Sequence, residues 1–308
     1  MLPAYISHPD CIQHDMGAQH PECPERIAAI HDLLSNKGLI ERMQTYAAPL
    51  ATEQQLARAH ELAYVRELAA LAPVSGHVQI DPDTSMNRHS YPAALRAAGA
   101  VVLATDLVLN GQAPAAFCNI RPPGHHAAKA AASGFCFFNN VVVGIRHALE
   151  VHGLQRVALI DFDVHHGNGS EDILCDDARV LMCSIFGKNL YPFSGSNPRG
   201  DNMHNVGLPA RAEGDALRAA VEDYWLPALD AFKPQMIFMS AGFDGHRDDR
   251  MGNLALLEAD YAWVTQQIMH VAKRYAQGRV VSCLEGGYDL PSLASSAAAH
   301  VKSLIGID

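Results

Sequence analysis

Short, β-prone apolar runs alternate with long helical segments along this sequence, and that alternation limits the possible fold more than any other feature. The runs are Ala4–Ser7, Ala115–Asn119, Val157–Asp161, Arg179–Ile185, Met236–Ser240 and Val280–Leu284. The helical segments are near Pro24–Lys37, Tyr91–Asn110, Asn139–His152, Asp215–Phe232, Leu257–Gln277 and Leu290–Ile305. Strands that alternate with helices of this length predict an α/β fold whose parallel sheet is covered by helices on both faces.

The composition favours one large domain over residues 1–308. Hydrophobic residues make up 49% and charged residues 18% of the 308 residues, which suits a sizeable buried core. No Ser-, Gly- or Pro-rich spacer, charge block or internal repeat marks a domain boundary. The formal net charge of −10 argues against a nucleic-acid partner, because phosphate binding requires a basic surface, and it suits a cationic substrate.

The cysteines and the N-terminus bear on the location of the protein. Seven cysteines are scattered without a CxxC pair, so we expect them to be reduced core residues. The N-terminus lacks the basic segment of a signal peptide, and we expect no apolar run to reach the ~18 residues of a membrane span. These features predict a cytoplasmic protein without a membrane segment, and they leave the oligomeric state open.

Polar side chains that could carry out chemistry follow four of the predicted strands. Because side chains alternate along a strand, Asp161, Asp163 and His165 are expected on one side of an extended segment. The other strand-end groups are His125 and His126, Asp244, and Glu285 to Tyr288. The carboxyl ends of parallel strands meet at one edge of a sheet, so we expect all four groups to lie close together.

The residue types in these groups predict a catalytic metal site. Asp163, His165 and Asp244 would give a zinc ion two carboxylates and one imidazole, and three protein ligands with one open position are typical of catalytic zinc. Such a metal polarises a carbonyl group and activates a water molecule. His125 and His126 could transfer protons, each oriented by an acceptor such as Asp161 or Asn168. The Tyr288 hydroxyl could stabilise a developing oxyanion.

Each of these groups also has a structural interpretation when it is taken alone. An acidic residue such as Asp161 or Asp244 at a strand end is often a helix N-cap, a histidine pair is often structural, and a Gly-Gly-Tyr turn is often only a turn. Independent caps do not explain why every one of these strand ends carries such a group. By contrast, the loop histidines His8, His14 and His20 match no metal-binding spacing, so we expect them to face solvent.

Five ordered motifs identify a family resemblance. They are Arg121–Ala127 (RPPGHHA), Ser133–Asn140 (SGFCFFNN), Ile160–Gly169 (IDFDVHHGNG), Ser240–Asp244 (SAGFD) and Glu285–Tyr288 (EGGY). Together they resemble the signature set of the histone deacetylase family. The RPPGHH motif and Asn168 are similar to the class II and acetylpolyamine amidohydrolase branch. The resemblance extends from His20 to the C-terminal helix, so it covers nearly the whole chain.

The resemblance implies an arginase/deacetylase α/β fold and zinc-dependent cleavage of an acylated amine. Asp163, His165 and Asp244 would bind zinc. His126 would be the general base and then the acid that protonates the leaving amine. His125 would act electrostatically, paired with Asp161, and Tyr288 would share the acyl carbonyl with zinc. The resemblance also implies a tunnel wall at Gly134 and Phe135 with Tyr191 opposite, and a carboxylate at the tunnel rim at Asp83. Arg26 would line a cavity beneath the metal. A structural potassium ion would be held by Asp161, Asp163, His165, Ser184 and Ile185.

Two departures from the family pattern affect these assignments. Asn168 stands where the class I branch has an acid, so we expect His126 to be less basic than it is there. The segment Asn189–Phe193 does not align cleanly with the second tunnel aromatic, which leaves Tyr191 and Phe193 as alternatives.

Three functions remain open from the sequence. The leading hypothesis is a zinc-dependent deacetylase that acts on acetyl-lysine in proteins or peptides. The second keeps the chemistry but acts on acetylpolyamines or other small N-acyl amines. The third is a non-catalytic binding module that has kept the fold, although neither a zinc ligand nor Tyr288 has been lost.

Overall fold

Residues 1–307, which the computed structural model describes, form ten β-strands and eleven α-helices; Asp308, the last residue of the predicted domain, lies outside this range. The strands are β1 (Ala4–Ser7), β2 (Gln44–Ala47), β3 (His77–Gln79), β4 (Ser85–Asn87), β5 (Ala115–Cys118), β6 (Val157–Asp161), β7 (Val180–Gly187), β8 (Met203–Leu208), β9 (Met236–Ala241) and β10 (Val280–Leu284). The helices are α1 (Asp10–Gln13), α2 (Glu25–Asn36), α3 (Glu53–Leu56), α4 (Leu62–Leu71), α5 (Ser90–Leu109), α6 (Asn140–Glu150), α7 (Asn168–Leu174), α8 (Gly214–Ala220), α9 (Leu226–Phe232), α10 (Glu258–Tyr275) and α11 (Leu290–Leu304).

Eight of these strands form one parallel sheet in the order β2-β1-β5-β10-β9-β6-β7-β8. Strands β3 and β4 form a separate antiparallel hairpin. The predicted α/β class with a parallel sheet is therefore confirmed. The four strands at the centre, β5, β10, β9 and β6, are those whose carboxyl ends carry the candidate site.

Helices cover both faces of the sheet, as the sequence predicts. Phe238 of β9 points to the face covered by α5 and α6, where it lies beside Gly144. The ring of Phe117 in β5 points to the opposite face and contacts His300 of α11 at a centroid distance of 5.9 Å. His300 also lies between hydroxyl groups, with Thr265 Oγ1 of α10 at 2.7 Å and Ser282 Oγ of β10 at 2.8 Å.

Local sequence signals account for some of the helix boundaries. Helix α2 begins directly after Pro24, whose fixed φ suits a first turn, and the Thr52 side chain forms the predicted capping box with Gln55. Helix α3, which starts at this capping box, ends after one turn. Residues 57–61 form turns that separate it from α4. The long helix predicted at Asp215–Phe232 is interrupted by one π-helical segment, Val221–Trp225.

Helix α5 contradicts one expectation from the sequence. By length and composition it could cross a membrane, so the expectation that no apolar run is long enough was wrong. In this structure 67% of the 18-residue apolar stretch of this helix is buried, and the helix packs against α6 and the sheet. A long apolar helix is equally suited to the core of a large α/β protein.

The cysteines agree with the sequence prediction. All seven are free, and six of them are buried in the interior. They are Cys11, Cys118, Cys136, Cys175, Cys183 and Cys283, whereas Cys23 is half-buried. Buried thiols of this kind contribute as small apolar side chains.

Candidate active site

The four strand-end groups of the sequence meet at one edge of the sheet. They follow β5, β10, β9 and β6, which are hydrogen-bonded neighbours in that order. Because all the strands are parallel, the loops after them leave from the same edge. The convergence expected from the sequence is therefore observed.

Asp163, His165 and Asp244 form a buried group whose ligand atoms lie within 4.8 Å of one another. His165 Nδ1 is 3.1 Å from both Asp163 Oδ1 and Asp244 Oδ2. Strand β6 ends at Asp161, so Asp163 and His165 lie in the turn after it and not in an extended segment. The expected strand alternation therefore fails beyond Asp161, and the turn, not the strand, brings the ligands together.

Backbone groups hold the two carboxylates in place. Asp163 accepts hydrogen bonds from the amides of His165 at 2.8 Å and Gly286 at 2.8 Å, and Asp244 accepts one from Val164 at 3.0 Å. A Cβ atom at Gly286 would collide with both carboxylates, so the chain leaves room for them only because glycine stands there. Two fixed carboxylates and one imidazole match the ligands of catalytic zinc, and we conclude that these residues fit that ion.

The charges in this group favour a cation. Burial and then the neighbouring Asp163 carboxylate raise the pKa of Asp244 to about 6, although His165 acts in the opposite direction. Burial alone would lower the pKa of His165, but Asp244 and Asp163 outweigh burial and raise the pKa to about 10. An imidazole between two carboxylates thus takes up a proton, and a divalent metal ion would provide the positive charge in place of that proton.

The paired histidines differ in their partners and therefore in their charge. His126 Nδ1 donates to the amide oxygen of Asn168 at 2.7 Å, which leaves its Nε2 lone pair free. Burial, followed by the neighbouring His125 and His165, holds the pKa of His126 well below its usual value, so the ring is neutral at pH 7. A neutral ring with a free lone pair can accept a proton.

His125 has the opposite environment. Its Nδ1 lies 3.0 Å from Asp161 Oδ2, and its Nε2 lies 3.8 Å from Asp163 Oδ2. Burial would lower the pKa of His125, but Asp163 and then Asp161 outweigh burial and raise it well above its usual value. These two carboxylates therefore favour the protonated, positively charged form of His125.

A small cavity of 150 Å³ leads to these groups. The residues that line it are Asp83, His126, Gly134, Phe135, His165, Tyr191, Met251 and Tyr288. Gly134 adopts a φ of +54° and lies against the His126 ring, where a Cβ atom would collide with that ring. The sequence singled out all of these positions except Met251, which no motif marked.

The structure distinguishes the two tunnel alternatives. Tyr191 lines the cavity, and its ring lies 5.0 Å from that of His126. Phe193 is 79% exposed and does not line it. Of these two residues, Tyr191 is therefore the one that faces the cavity.

Tyr288 occupies one wall of the same cavity, and its ring meets the edge of Phe135 at 5.9 Å. Within residues 1–307 its hydroxyl makes no hydrogen bond, so it can donate one to a ligand. Burial, followed by the Asp244 carboxylate, holds the pKa of Tyr288 well above its usual value, so the phenol stays protonated.

Arg26 supports this wall from behind and is not among the residues that line this cavity. Its place in a cavity beneath the metal stays a prediction. Its guanidinium carbon lies 4.9 Å from the Tyr288 ring centroid, and its Nε donates to the Gly287 carbonyl at 2.6 Å. It is completely buried and pairs with Glu22 at 2.9 Å. Glu22 also pairs with the buried Arg121, so one carboxylate joins two guanidinium groups.

Glu285, which the sequence left without a role, supports the site. Glu285 Oε2 accepts hydrogen bonds from the amides of Gly124 at 2.7 Å and His125 at 3.1 Å, which fixes the histidine pair. Burial raises the pKa of Glu285 to about 7. The sequence placed Glu285 in a strand-end motif but gave no sign that its side chain reaches the loop after a neighbouring strand.

The loop histidines are partly structural, contrary to expectation. His14 is fully buried and lies 2.7 Å from Ser90 Oγ. The His20 ring meets the edge of Phe135 at 4.6 Å, and its Nε2 lies 3.2 Å from the Asp83 carbonyl oxygen. The expectation that these residues face solvent was therefore wrong for His14, whereas His8 and His20 are only half-buried. No pattern in the sequence revealed a partner of His14 so distant along the chain.

The predicted potassium residues are neighbours in the fold. Asp161 of β6 and Ser184 of β7 are direct register partners, and Ile185 follows Ser184. Their potassium role stays a prediction. His166, which we expect to be structural, is buried between Ser184 Oγ at 3.0 Å and Glu171 Oε2 at 2.8 Å.

A second group of possible ligands, Asp106, His147 and His152, lies near helices α5 and α6. Both imidazole Nε2 atoms approach Asp106 Oδ1, at 2.8 and 2.7 Å. Arg58 donates to His147 Nδ1 at 3.0 Å, and this forces the ring proton onto Nε2. His147 therefore donates a hydrogen bond to Asp106 and has no lone pair there for a metal.

Comparisons with known proteins identify the family. The histone deacetylase domain profile matches residues 20–304. The chain is 35% identical to a histone deacetylase-like amidohydrolase of Pseudomonas aeruginosa, over 96% of this chain and 80% of that protein. It is 36% identical to the mouse protein named polyamine deacetylase HDAC10, over 92% of this chain and 45% of that protein.

The fold comparison agrees. The crystal structure of the HDA15 HD domain superposes with a TM-score of 0.92 at 31% identity, covering 99% of this chain and 89% of that one. Related proteins differ in length, since the chain spans from 20% to 99% of them. The chain belongs to the histone deacetylase family of deacetylases and amidohydrolases.

Proposed function

We propose that this protein is a zinc-dependent amidohydrolase that removes acetyl or other acyl groups from the ε-amine of lysine in proteins or peptides. One observation carries the proposal: the candidate zinc ligand His165, the neutral His126 and the free hydroxyl of Tyr288 all line one narrow cavity. An amide at that position would meet a metal, a base and a hydrogen-bond donor at once.

The shape of the cavity supports a slender substrate. Its volume of 150 Å³ is well below the ~300–1,000 Å³ of ordinary ligand pockets. Phe135, Tyr191 and Met251 give it apolar walls, which suit the methylene chain of an acylated lysine. We therefore expect unbranched amines with small acyl groups to be the best substrates.

Asp163, His165 and Asp244 would hold the zinc ion. When bound, zinc would polarise the acyl carbonyl and lower the pKa of a water molecule. His126 Nε2 would accept the proton of the attacking water, since its Nδ1 is already bonded to Asn168. The same nitrogen would then protonate the amine as the amide bond breaks, so that acetate and a free amine leave.

His125 and Tyr288 would stabilise the charge that develops on the substrate. His125 is held by Asp161 and stays positively charged, so it would favour a negative transition state and would keep His126 neutral until the proton arrives. Tyr288 would donate its hydroxyl to the oxygen of the acyl group. A donor fixed in advance costs little reorganisation during the reaction.

Acetylpolyamines or other small N-acyl amines are the second candidate. The mouse relative is named a polyamine deacetylase, and the net charge of −10 suits a polycation. Asp83 lines the cavity, and its carboxylate could accept either a peptide amide or the ammonium of a polyamine. The two substrates differ in what lies outside the cavity and not in the reacting amide.

A substrate panel with zinc-loaded protein tests both candidates. We expect a higher kcat/KM for an acetyl-lysine peptide than for N-acetylputrescine, loss of turnover with a chelator, and recovery with zinc. A preference for N-acetylputrescine would replace the leading proposal with the second. If no acylated amine is turned over, the chain is a binding module. If Asp163→Ala retains full activity, the metal assignment fails.

A further inference from the structure

Asp249 is a buried carboxylate in the loop between the metal ligand Asp244 and helix α10, and the mechanism above does not use it. Only 5% of the residue is exposed. Its Oδ2 accepts hydrogen bonds from the backbone amides of Tyr288 at 2.6 Å and Asp289 at 3.1 Å. Its Oδ1 accepts one from the amide of Met251 at 2.9 Å.

These three bonds join two loops that are distant along the chain. Tyr288 and Met251 both line the cavity, and each is held through its backbone amide by the same carboxylate. Among residues 1–307, Asp249 pairs with no lysine, arginine or histidine. Three amide donors are thus the partners that compensate for burying the charge.

The turn before Tyr288 needs such an anchor. Gly286 must be glycine to clear the Asp163 and Asp244 carboxylates, and Gly287 has a φ of +120°, which favours glycine. Two consecutive glycines leave the backbone with many accessible conformations. Arg26 binds the carbonyl groups of this turn, and Asp249 binds the amides that follow it.

We propose that Asp249 is a positioning residue that sets the direction of the Tyr288 side chain, and with it the cavity wall at Met251. The proposal deepens the proposed function and rests on it. A displacement of about 1 Å at a reacting group can cost about 100-fold in rate, so loss of the anchor affects turnover more than substrate binding.

Asp249→Ala and Asp249→Asn test this role, with Asp248→Ala as the matched control. Asp248 is adjacent, carries the same charge and is 61% exposed in its side chain, but it holds no part of the Tyr288 turn. We expect Asp249→Ala to lower kcat by about 30- to 100-fold with KM changed less than about threefold. Asp249→Asn should recover part of the rate, because its amide oxygen can still accept from Tyr288 and Asp289. Asp248→Ala should stay within about twofold of wild type.

A double-mutant cycle shows whether Asp249 acts through Tyr288. If it does, Asp249→Ala in a Tyr288→Phe background costs less than about threefold beyond Tyr288→Phe alone, because residues that act as a unit are not additive. Zinc content and melting temperature are measured for every variant. Full additivity, or an Asp249→Ala rate equal to that of Asp248→Ala, would overturn the proposal.

Hydrogen exchange separates this proposal from the proposed function, since it needs no substrate. We expect the peptide that contains Tyr288 and Asp289 to exchange at least about tenfold faster in Asp249→Ala, and unchanged in Asp248→Ala. Faster exchange in a protein without any deacetylase activity would keep the positioning role and refute the function. Unchanged exchange refutes the positioning role, whatever the activity.

Discussion

The buried His300 makes the stability of this protein sensitive to acid. Its Nε2 accepts from the Ser282 hydroxyl, because Thr265 Oγ1 donates to the Tyr261 carbonyl at 2.6 Å and must therefore accept from His300 Nδ1. A second proton on the ring would place a positive charge in an apolar core. Burial accordingly lowers the pKa of His300 from 6.5 to about 3.

The sign and size of the effect follow from this pKa. The folded state accommodates His300 only with a neutral ring. The contribution of His300 to stability is therefore complete above pH 6.5 and is lost as the pH falls toward 3. One pKa unit corresponds to about 1.4 kcal/mol. At pH 5, which is 1.5 units below the unfolded value, the loss is therefore about 2 kcal/mol.

His300→Asn removes the titrating ring and tests this value. Urea unfolding at pH 7 and pH 5, in metal-free protein with a chelator, gives the free energy of unfolding of each variant. We expect wild type to lose about 2 kcal/mol more than His300→Asn over this interval. His270→Asn, at an exposed position of α10, should follow wild type. Equal losses in wild type and His300→Asn would refute the reasoning.

Three further perturbations address the candidate site and its support. Asn168→Asp places a carboxylate at the 2.7 Å contact with His126 and should raise the pKa of His126. The acidic limb of the pH profile of kcat/KM should therefore move to higher pH by about one unit or more. An unmoved limb would contradict the assignment of His126 as the base. Gly286→Ala adds a Cβ atom that collides with the two metal carboxylates, and we expect elemental analysis to show that most of the bound zinc is lost; full zinc occupancy would argue against the ligand set. Glu22→Gln removes the charge that two buried guanidinium groups share, so unfolding should cost about 3 kcal/mol less and calorimetry should show a melting temperature lower by about 6 °C or more. An unchanged melting temperature would show that this network adds nothing to stability.

The central strands were predictable because each is a continuous apolar run. Strands β2 and β8 were not, since both lie at an edge of the sheet and bury little. Three of the four residues of β2 are exposed, and β8 contains His204, Asn205 and Gly207, which have no strand-like pattern. Edge strands form because a neighbour offers hydrogen bonds, and that neighbour is not visible in the local sequence.

The candidate metal ligands of the site were also predictable from the sequence, but the contacts that support them were not. Asp163, His165 and Asp244 stand at strand ends, where position and residue type together indicate a metal site. The supporting contacts of Glu22, Glu285 and Asp249 were not predictable, because each connects loops that are far apart along the chain. A lone acidic residue in a loop looks the same whether it faces water or anchors a catalytic turn.

The bond from Arg26 to the Gly287 carbonyl joins residues 261 positions apart. At about 5–20 residues per second, a ribosome needs roughly 13–52 s to add that stretch of chain. During this interval helix α2 is already synthesised, but the turn that Arg26 will hold does not yet exist. A nascent chain can therefore contain every candidate zinc ligand before it contains Tyr288, and hydrolytic capacity would begin only when the last strand has joined the sheet.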